Sequence, residues 1–327
     1  MFDIYATQEG YAHHLIPVWE ASGGTFYGHT QEFVRWLRSR GVVGAEQLPS
    51  RLSRPVLTAG IMDYRRAEKT RPPALAYMEH GCGQSYAGDR RMSTHPAYAG
   101  GDGRDGCSLI LAPNTQAAAR WSERYPSAAV HTIGASRVLN PPEDTGRSLL
   151  VVSFHWDGGT IPEMRSAWSH YRDSLGALAL DVPLALHAHP RARSGIRAWA
   201  KGRNIEFIED IEEVARRATV YAVDNSSTLW EMGRTRPVIA LNAPWYRRDV
   251  AHGLRFWDRI PGPQVDDSGG LFLEAERLLS SGESEDAKRC REAVVRDVIP
   301  SLDGARTAST IVGEWSEDPH RGEQATE

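Results

Sequence analysis

The sequence predicts an α/β protein of two domains, each built on a doubly wound parallel sheet. Three observations lead there. The chain has 327 residues, more than the roughly 150 that one ordinary core organises. Short apolar strands alternate with helical patterns along most of its length. Near the middle, Val138-Leu-Asn-Pro-Pro-Glu-Asp-Thr-Gly-Arg147 breaks the pattern with proline, glycine and charge, and reads as an interdomain linker. The expected domains are residues 1–140 and 148–300, followed by a C-terminal segment, 301–327, whose polar end from about Glu314 is a mobile tail.

In the first domain, Phe2 to Ala6 is a short apolar strand, and Tyr11 to Glu20 carries Leu15, Ile16, Val18 and Trp19 at helical spacing. Thr30 to Arg40 is a second helix, with Gly41 as its stop signal. Further strands are expected at Pro55 to Ala59, Ala74 to Met78, Cys107 to Ala112 and Ala129 to Ile133. Past the linker, Ser148 to Phe154 is the clearest buried strand in the chain. A helix over roughly Glu163 to Leu175 and strands at Pro183 to His187 and Ile205 to Ile208 follow. The last unit is strand, cap, helix, strand: Val220 onward, then Asp224-Asn-Ser-Ser227, then Leu229, Trp230 and Met232 at helical spacing, then Pro237 to Leu241. Two such sheets joined by one linker predict a cleft lined by the carboxyl ends of both.

Composition narrows the function. A net charge of −4 gives no global basic field, so a polyanionic partner must be met by a local patch. Lysine occurs only at Lys69, Lys201 and Lys288, and the other 35 basic residues are arginine, a bias of coding composition that also suits phosphate recognition. Cys82, Cys107 and Cys290 are odd in number and far apart, which excludes a disulfide scaffold and a closed four-cysteine zinc site. No run approaches the roughly 18 apolar residues of a membrane span, and the N-terminus lacks a signal-peptide pattern, so a soluble, cytoplasmic protein without stable membrane association is expected.

Residues directly after a strand project from the sheet's end, where ligands of open α/β sheets bind. His80 follows Ala74 to Met78 and is flanked by Gly81 and Gly83, so backbone can approach a ligand while an imidazole acts as base or donor; neighbouring Glu79 could orient the ring. The bland reading is an exposed turn. His187 and His189 alternate, and Pro190 ends their strand; the pair offers too few ligands for zinc, and an imidazole on an anion fits better, with Arg191 and Arg193 able to add charge. His155-Trp-Asp157 ends the strongest strand without a role that follows from spacing alone. Asp224, Asn225, Ser226 and Ser227 are either an anion site at a helix N-terminus or ordinary caps, and Thr228 with Glu231 makes a capping box by itself.

Taken in order, these motifs resemble the CDP-glycerol glycerophosphotransferases of teichoic-acid synthesis, which share the GT-B fold with nucleotide-sugar glycosyltransferases. The resemblance covers about residues 75 to 265 and rests on His80-Gly81, Gly134-Ala-Ser-Arg137, the strand Leu149 to Phe154, His189-Pro190, Asp224-Asn-Ser-Ser227 and Arg236-Pro-Val-Ile-Ala240. His252 to Pro263 also looks like the family's stretch before its last helices.

The resemblance implies two Rossmann-like domains facing across a cleft. His80 would be the base on an acceptor hydroxyl, with Glu79, Gly81 and Gly83 on the acceptor side. His189 would sit on the diphosphate, and Asp224, Asn225, Ser226, Ser227, His155 and Arg137 would hold the donor. Neither metal nor cofactor is implied, the activated donor being a substrate. Asn225 replaces the family's usual tyrosine, and His155-Trp-Asp157 stands where a Thr-Trp-Arg-like sequence is usual. The first domain also lacks basic membrane-docking helices. These departures favour a nucleoside-diphosphate sugar and a soluble acceptor over CDP-glycerol and a wall polymer; a 2-epimerase or a pure binder is the remaining reading. Arg65, Arg66, Lys69, Arg71, Arg90 and Arg91, interleaved with Tyr64, Tyr77 and Tyr86, form either a solvated surface or a phosphate track for a nucleic-acid acceptor such as a hydroxymethylated base.

Overall fold

A computed structural model describes residues 1–84, 86, 94–143, 146, 148–159, 161–247 and 259–319. They divide into two compact units, 1–137 with 298–319, and 138–297. The first contains β1 (Asp3–Ala6), α1 (Glu9–Ser22), β2 (Phe26–Gly28), α2 (Gln31–Ser39), β3 (Glu46–Gln47), β4 (Val56–Thr58), α3 (Ile61–Lys69), β5 (Leu75–Met78), β6 (Cys107–Ala112), α4 (Thr115–Arg124) and β7 (Ala129–Thr132). The second contains β8 (Leu150–Phe154), α5 (Trp168–Asp181), β9 (Leu184–Ala188), α6 (Arg193–Lys201), β10 (Glu206–Phe207), α7 (Ile211–Arg217), β11 (Val220–Val223), α8 (Thr228–Gly233), β12 (Val238–Leu241), β13 (Gln264–Val265) and α9 (Ser268–Ser281). Helix α10 (Glu285–Val298) leads back to the first unit, and α11 (Gly304–Glu317) belongs to it.

Both sheets are parallel, in the orders β3-β2-β1-β4-β5-β6-β7 and β10-β9-β8-β11-β12-β13 among the described residues. Strand order reverses between β1 and β4 in one and between β8 and β11 in the other, and a crevice opens at the carboxyl edge where an α/β sheet reverses. The central strands are buried along their whole length, β1, β4, β5, β8, β9, β11 and β12 among them, because helices cover both faces. That is why they read as unbroken apolar runs. Two or three residues define β2, β3, β10 and β13, too few for a period.

Three details differ from expectation. The helix expected over Glu163 to Leu175 begins only at Trp168, after a 3-10 turn at Pro162–Met164, because the Glu163 carboxylate is buried and chelated by Arg247 through Nε (3.0 Å) and a terminal nitrogen (2.6 Å). The described residues of the expected linker group with the second unit: buried Arg236 donates to the carbonyls of Asn140 (3.0 Å), Ala218 (2.9 Å) and Ala215. The C-terminal segment runs as α11 through Glu317, three residues past the expected start of the tail, and packs on α1, with Trp315 Nε1 donating to Ser108 Oγ at 3.1 Å. Residues 320–327 lie outside the described residues, as does the motif stretch up to Asp258.

Gly304 opens α11 against backbone, and a Cβ there would overlap the Ala135 carbonyl, whereas a Cβ on Gly313 in the same helix would meet nothing within 4 Å. Gly304→Ala should therefore destabilise the protein by about 1–3 kcal/mol in urea titration. Gly313→Ala should be neutral or stabilise by about 0.5–1 kcal/mol.

Candidate active site

In the first unit, Glu79 and His80 leave β5 on opposite sides, as successive residues of an extended chain must. Glu79 turns inward and accepts a hydrogen bond from Trp121 Nε1 at 2.5 Å. Burial pushes its carboxyl up to about 7, against that hydrogen bond and the positive Arg104. Arg104 itself lies over the Tyr77 and Trp121 rings, 4.1 and 4.7 Å from their centroids. Glu79 thus belongs to an internal cluster and does not orient His80.

His80 turns the other way. Its Nδ1 lies 3.0 Å from the Ala59 carbonyl oxygen at the end of the neighbouring β4, and Tyr11 of α1 packs edge-on at 4.5 Å between centroids. A carbonyl only accepts, so Nδ1 carries the proton and Nε2 presents a lone pair. Burial pulls the His80 pKa down to about 4, with the charges of Arg104 and Arg137 adding and the Ala59 hydrogen bond opposing. Gly81 and Gly83 have φ of 79° and 76°, and Gly83 packs where a Cβ would lie 2.6 Å from that of Ala117. Asn114 Nδ2 holds the turn through the Cys82 carbonyl at 2.9 Å while its Oδ1 caps α4.

Sequence reasoning missed His14. Its ring lies 6.2 Å from that of His80, with Nδ1 3.2 Å from Ser136 Oγ, and burial holds it well below the usual histidine range. The signal was Tyr11-Ala-His-His14 opening the helix that follows β1, at the reversal point of the sheet. Arg137 was expected on the donor side; it is buried in the first unit, and its charge acts on both His14 and His80.

In the second unit, the ends of β9, β8 and β11 lie side by side, with Phe154 opposite Ala188 and Ser153 opposite Val223. Asp224 is buried, and its carboxylate accepts from the His155 backbone N–H (2.8 Å), the Ala167 N–H (2.9 Å) and Ser166 Oγ (3.1 Å). Burial still raises its pKa to about 6 against those hydrogen bonds. With its oxygens so engaged, Asp224 ties the β8 loop to the start of α5 and is not itself a phosphate contact. Asn225 is buried beside it. The Ser226 hydroxyl accepts from the Thr228 hydroxyl at 3.0 Å, and Thr228 also meets the Tyr221 hydroxyl at 2.8 Å. The N-cap of α8 is Ser227, which makes no side-chain cap, so the Thr228–Glu231 capping box does not form.

His155 and His189 stand together, ring centroids 5.1 Å apart. His155 Nδ1 faces the Trp156 carbonyl at 3.0 Å, and His189 Nδ1 accepts from the Arg191 backbone N–H at 3.2 Å. His189 Nδ1 is thus an acceptor, which leaves the proton of that ring on Nε2, whereas His155 Nδ1 is the donor to its carbonyl. The Arg191 guanidinium lies over the Trp156 ring, 4.6 Å from its centroid. His187, by contrast, is buried on Ser153 Oγ at 2.7 Å. The two histidines do not act as a pair, because β9 ends at Ala188 and His189 lies beyond it. Among the described residues no group of three or more metal-ligating side chains converges.

The basic track loses its aromatic half: Tyr64, Tyr77 and Tyr86 are all buried. They point into the core from α3, β5 and the glycine-rich turn, while Arg90 and Arg91 lie outside the described residues.

No family model matches the chain, and neither does any curated protein sequence. Solved structures do. A variant of the wall teichoic acid polymerase TagF superposes with a TM-score of 0.61 at 11% identity, covering 99% of this chain and 90% of that one. A UDP-N-acetylglucosamine 2-epimerase gives a TM-score of 0.57 at 11% identity, covering 98% and 96%. HepE from Anabaena in complex with UDP-glucose gives 0.54 at 10%, covering 96% and 99%. The fold is GT-B-like. In a GT-B-like chain with these sheets, the His80 cluster lies at the carboxyl edge of the first Rossmann-like unit, and the His155–His189–Asp224 cluster at that of the second.

Asp224→Ala should destabilise the protein by about 2–4 kcal/mol in chemical denaturation, since two buried N–H groups lose their acceptor, and Asp224→Asn by less. The folded-state pKa of Asp224 is raised, so its own pH-dependent contribution is full below the ordinary 3.8 and is lost as pH rises through about 6. The stability gap between wild type and Asp224→Asn should accordingly narrow from pH 4 to pH 7.

Proposed function

We propose that the protein is a cytoplasmic glycosyltransferase that moves a sugar from a nucleoside-diphosphate sugar to an acceptor hydroxyl, without a metal and with His80 as base. The observation that carries this reading is the setting of His80: its Nδ1–H is committed to the Ala59 carbonyl, which puts the lone pair on Nε2, and burial favours the neutral imidazole at neutral pH. As the acceptor oxygen bonds to the sugar's anomeric carbon, its proton passes to Nε2; the bond from that carbon to the diphosphate breaks, and its electron pair leaves with the nucleoside diphosphate. Donor phosphates are met by His189, whose Nε2–H is a donor, by His155, and by Asn225, Ser226 and Ser227 after β11. Asp224 positions this group through the backbone.

A second reading, CDP-glycerol-dependent transfer of a glycerophosphoryl group, is favoured by the ordered motifs and by the likeness to TagF. His80 would do the same work, but phosphorus would be attacked and a nucleoside monophosphate would leave. The likeness to a 2-epimerase adds a third arm to the test. We take the acceptor to be soluble, on the departures of Asn225 and His155-Trp-Asp157 from the wall-polymer family's pattern. A hydroxymethylated DNA base is one candidate, and it would have to leave the stack to reach His80.

The test is turnover of UDP, CDP, GDP and TDP sugars and of CDP-glycerol with oligosaccharide, glycerol-phosphate and hydroxymethyl-DNA acceptors, and of UDP-N-acetylglucosamine alone. Sugar transfer with His80→Ala at least about 100-fold slower is the expected outcome. Because the base must be unprotonated and its pKa is lowered to about 4, kcat/KM should hold from neutral pH down to about 5 and fall as pH drops through 4, not near the ordinary 6.5. Transfer of glycerol phosphate alone would install the second reading, and full turnover by His80→Ala would remove the base assignment.

A further inference from the structure

Resting on the donor reading above, we infer that Arg191, held over the face of Trp156, is the cation that meets the leaving diphosphate and makes the site select nucleoside diphosphates over monophosphates. The neighbouring imidazoles leave that place open. His189 Nδ1 is occupied as an acceptor by the Arg191 backbone N–H, so that ring is uncharged, and His155 Nδ1 is turned to the Trp156 carbonyl. A leaving diphosphate gains one further negative charge when the electron pair of the broken bond stays on it, and one neutral donor does not balance that. Arginine is charged at every relevant pH.

Arg191 is also a guanidinium that the described carboxylates leave unpaired. Arg193 and Arg197 reach Glu209, at 4.0 and 2.7 Å, whereas among the described residues no carboxylate pairs with the Arg191 guanidinium. Stacking on an indole restrains the planar fork without using its N–H groups, which stay directed at solvent or ligand. Trp156 is only half-buried and its ring lies 5.8 and 6.3 Å from those of His155 and His189, so cation and imidazoles form one cluster beyond β8 and β9. Neither residue belongs to the His-Pro or Asp-Asn-Ser-Ser motif.

Isothermal titration of the full chain with UDP, CDP, GDP and TDP and with the matching monophosphates tests this. Wild type should bind at least one diphosphate more tightly than its monophosphate. Arg191→Ala should weaken the diphosphate by about 10- to 100-fold and the monophosphate far less, as loss of a charged hydrogen bond does. Arg191→Lys should recover part of that loss, and Trp156→Ala, which keeps the charge but frees it, should fall between. A wild-type protein that binds no nucleotide overturns the donor reading and this inference with it. Wild-type binding with Arg191→Ala unchanged, or with both nucleotides weakened equally, overturns the inference alone.

Discussion

Much of the second unit depends on one buried carboxylate. A parallel sheet delivers every strand end to the same edge, and the loops leaving that edge must find partners for backbone groups that no strand can serve. Asp224 supplies them from the end of β11: it accepts the His155 N–H at the end of β8 and the Ala167 N–H at the start of α5, where Ala167 has no side-chain cap to offer. The hydrogen bonds offset desolvation only in part, so the pKa remains raised. The His155 backbone owes its place to that arrangement, and His189 is set beside it by its own N–H on the Phe154 carbonyl.

Burial acts on the first unit's edge in the same way, on an acid and a base at once. Glu79 and His80 are adjacent, and burial disfavours the charged form of each, raising the acid to about 7 and lowering the base to about 4. The pleat sends them to different sides, so the acid stays in an aromatic cluster with Arg104 while the imidazole reaches the sheet's edge. The carbonyl that sets its tautomer, that of Ala59, lies one residue past the end of the strand alongside.

Likeness at 10–11% identity to a polymerase, an epimerase and a nucleotide-sugar-bound protein defines a frame and not a reaction. What separates those chemistries on such a frame is the charge state of the leaving group and the presence of a base for an acceptor. In the function proposed above, His80 and the Arg191–Trp156 pair answer these two points.

Strands buried on both faces were legible because their residues are almost wholly apolar, as in Leu150-Val-Val-Ser-Phe154, and His80, His155, His189 and Asp224 were legible because each lies within two residues of such a strand's end. Position along the chain therefore determined the α/β class and the candidate edge residues. Partners were not legible. That Arg137 lies with His14 and His80, that Tyr64, Tyr77 and Tyr86 are core residues, and that residues 298–317 return to the first unit all depend on contacts between segments far apart in sequence. Tertiary structure alone decided those, and with them tautomer and protonation, because a histidine's proton is placed by whichever carbonyl or N–H the folded chain brings to its ring.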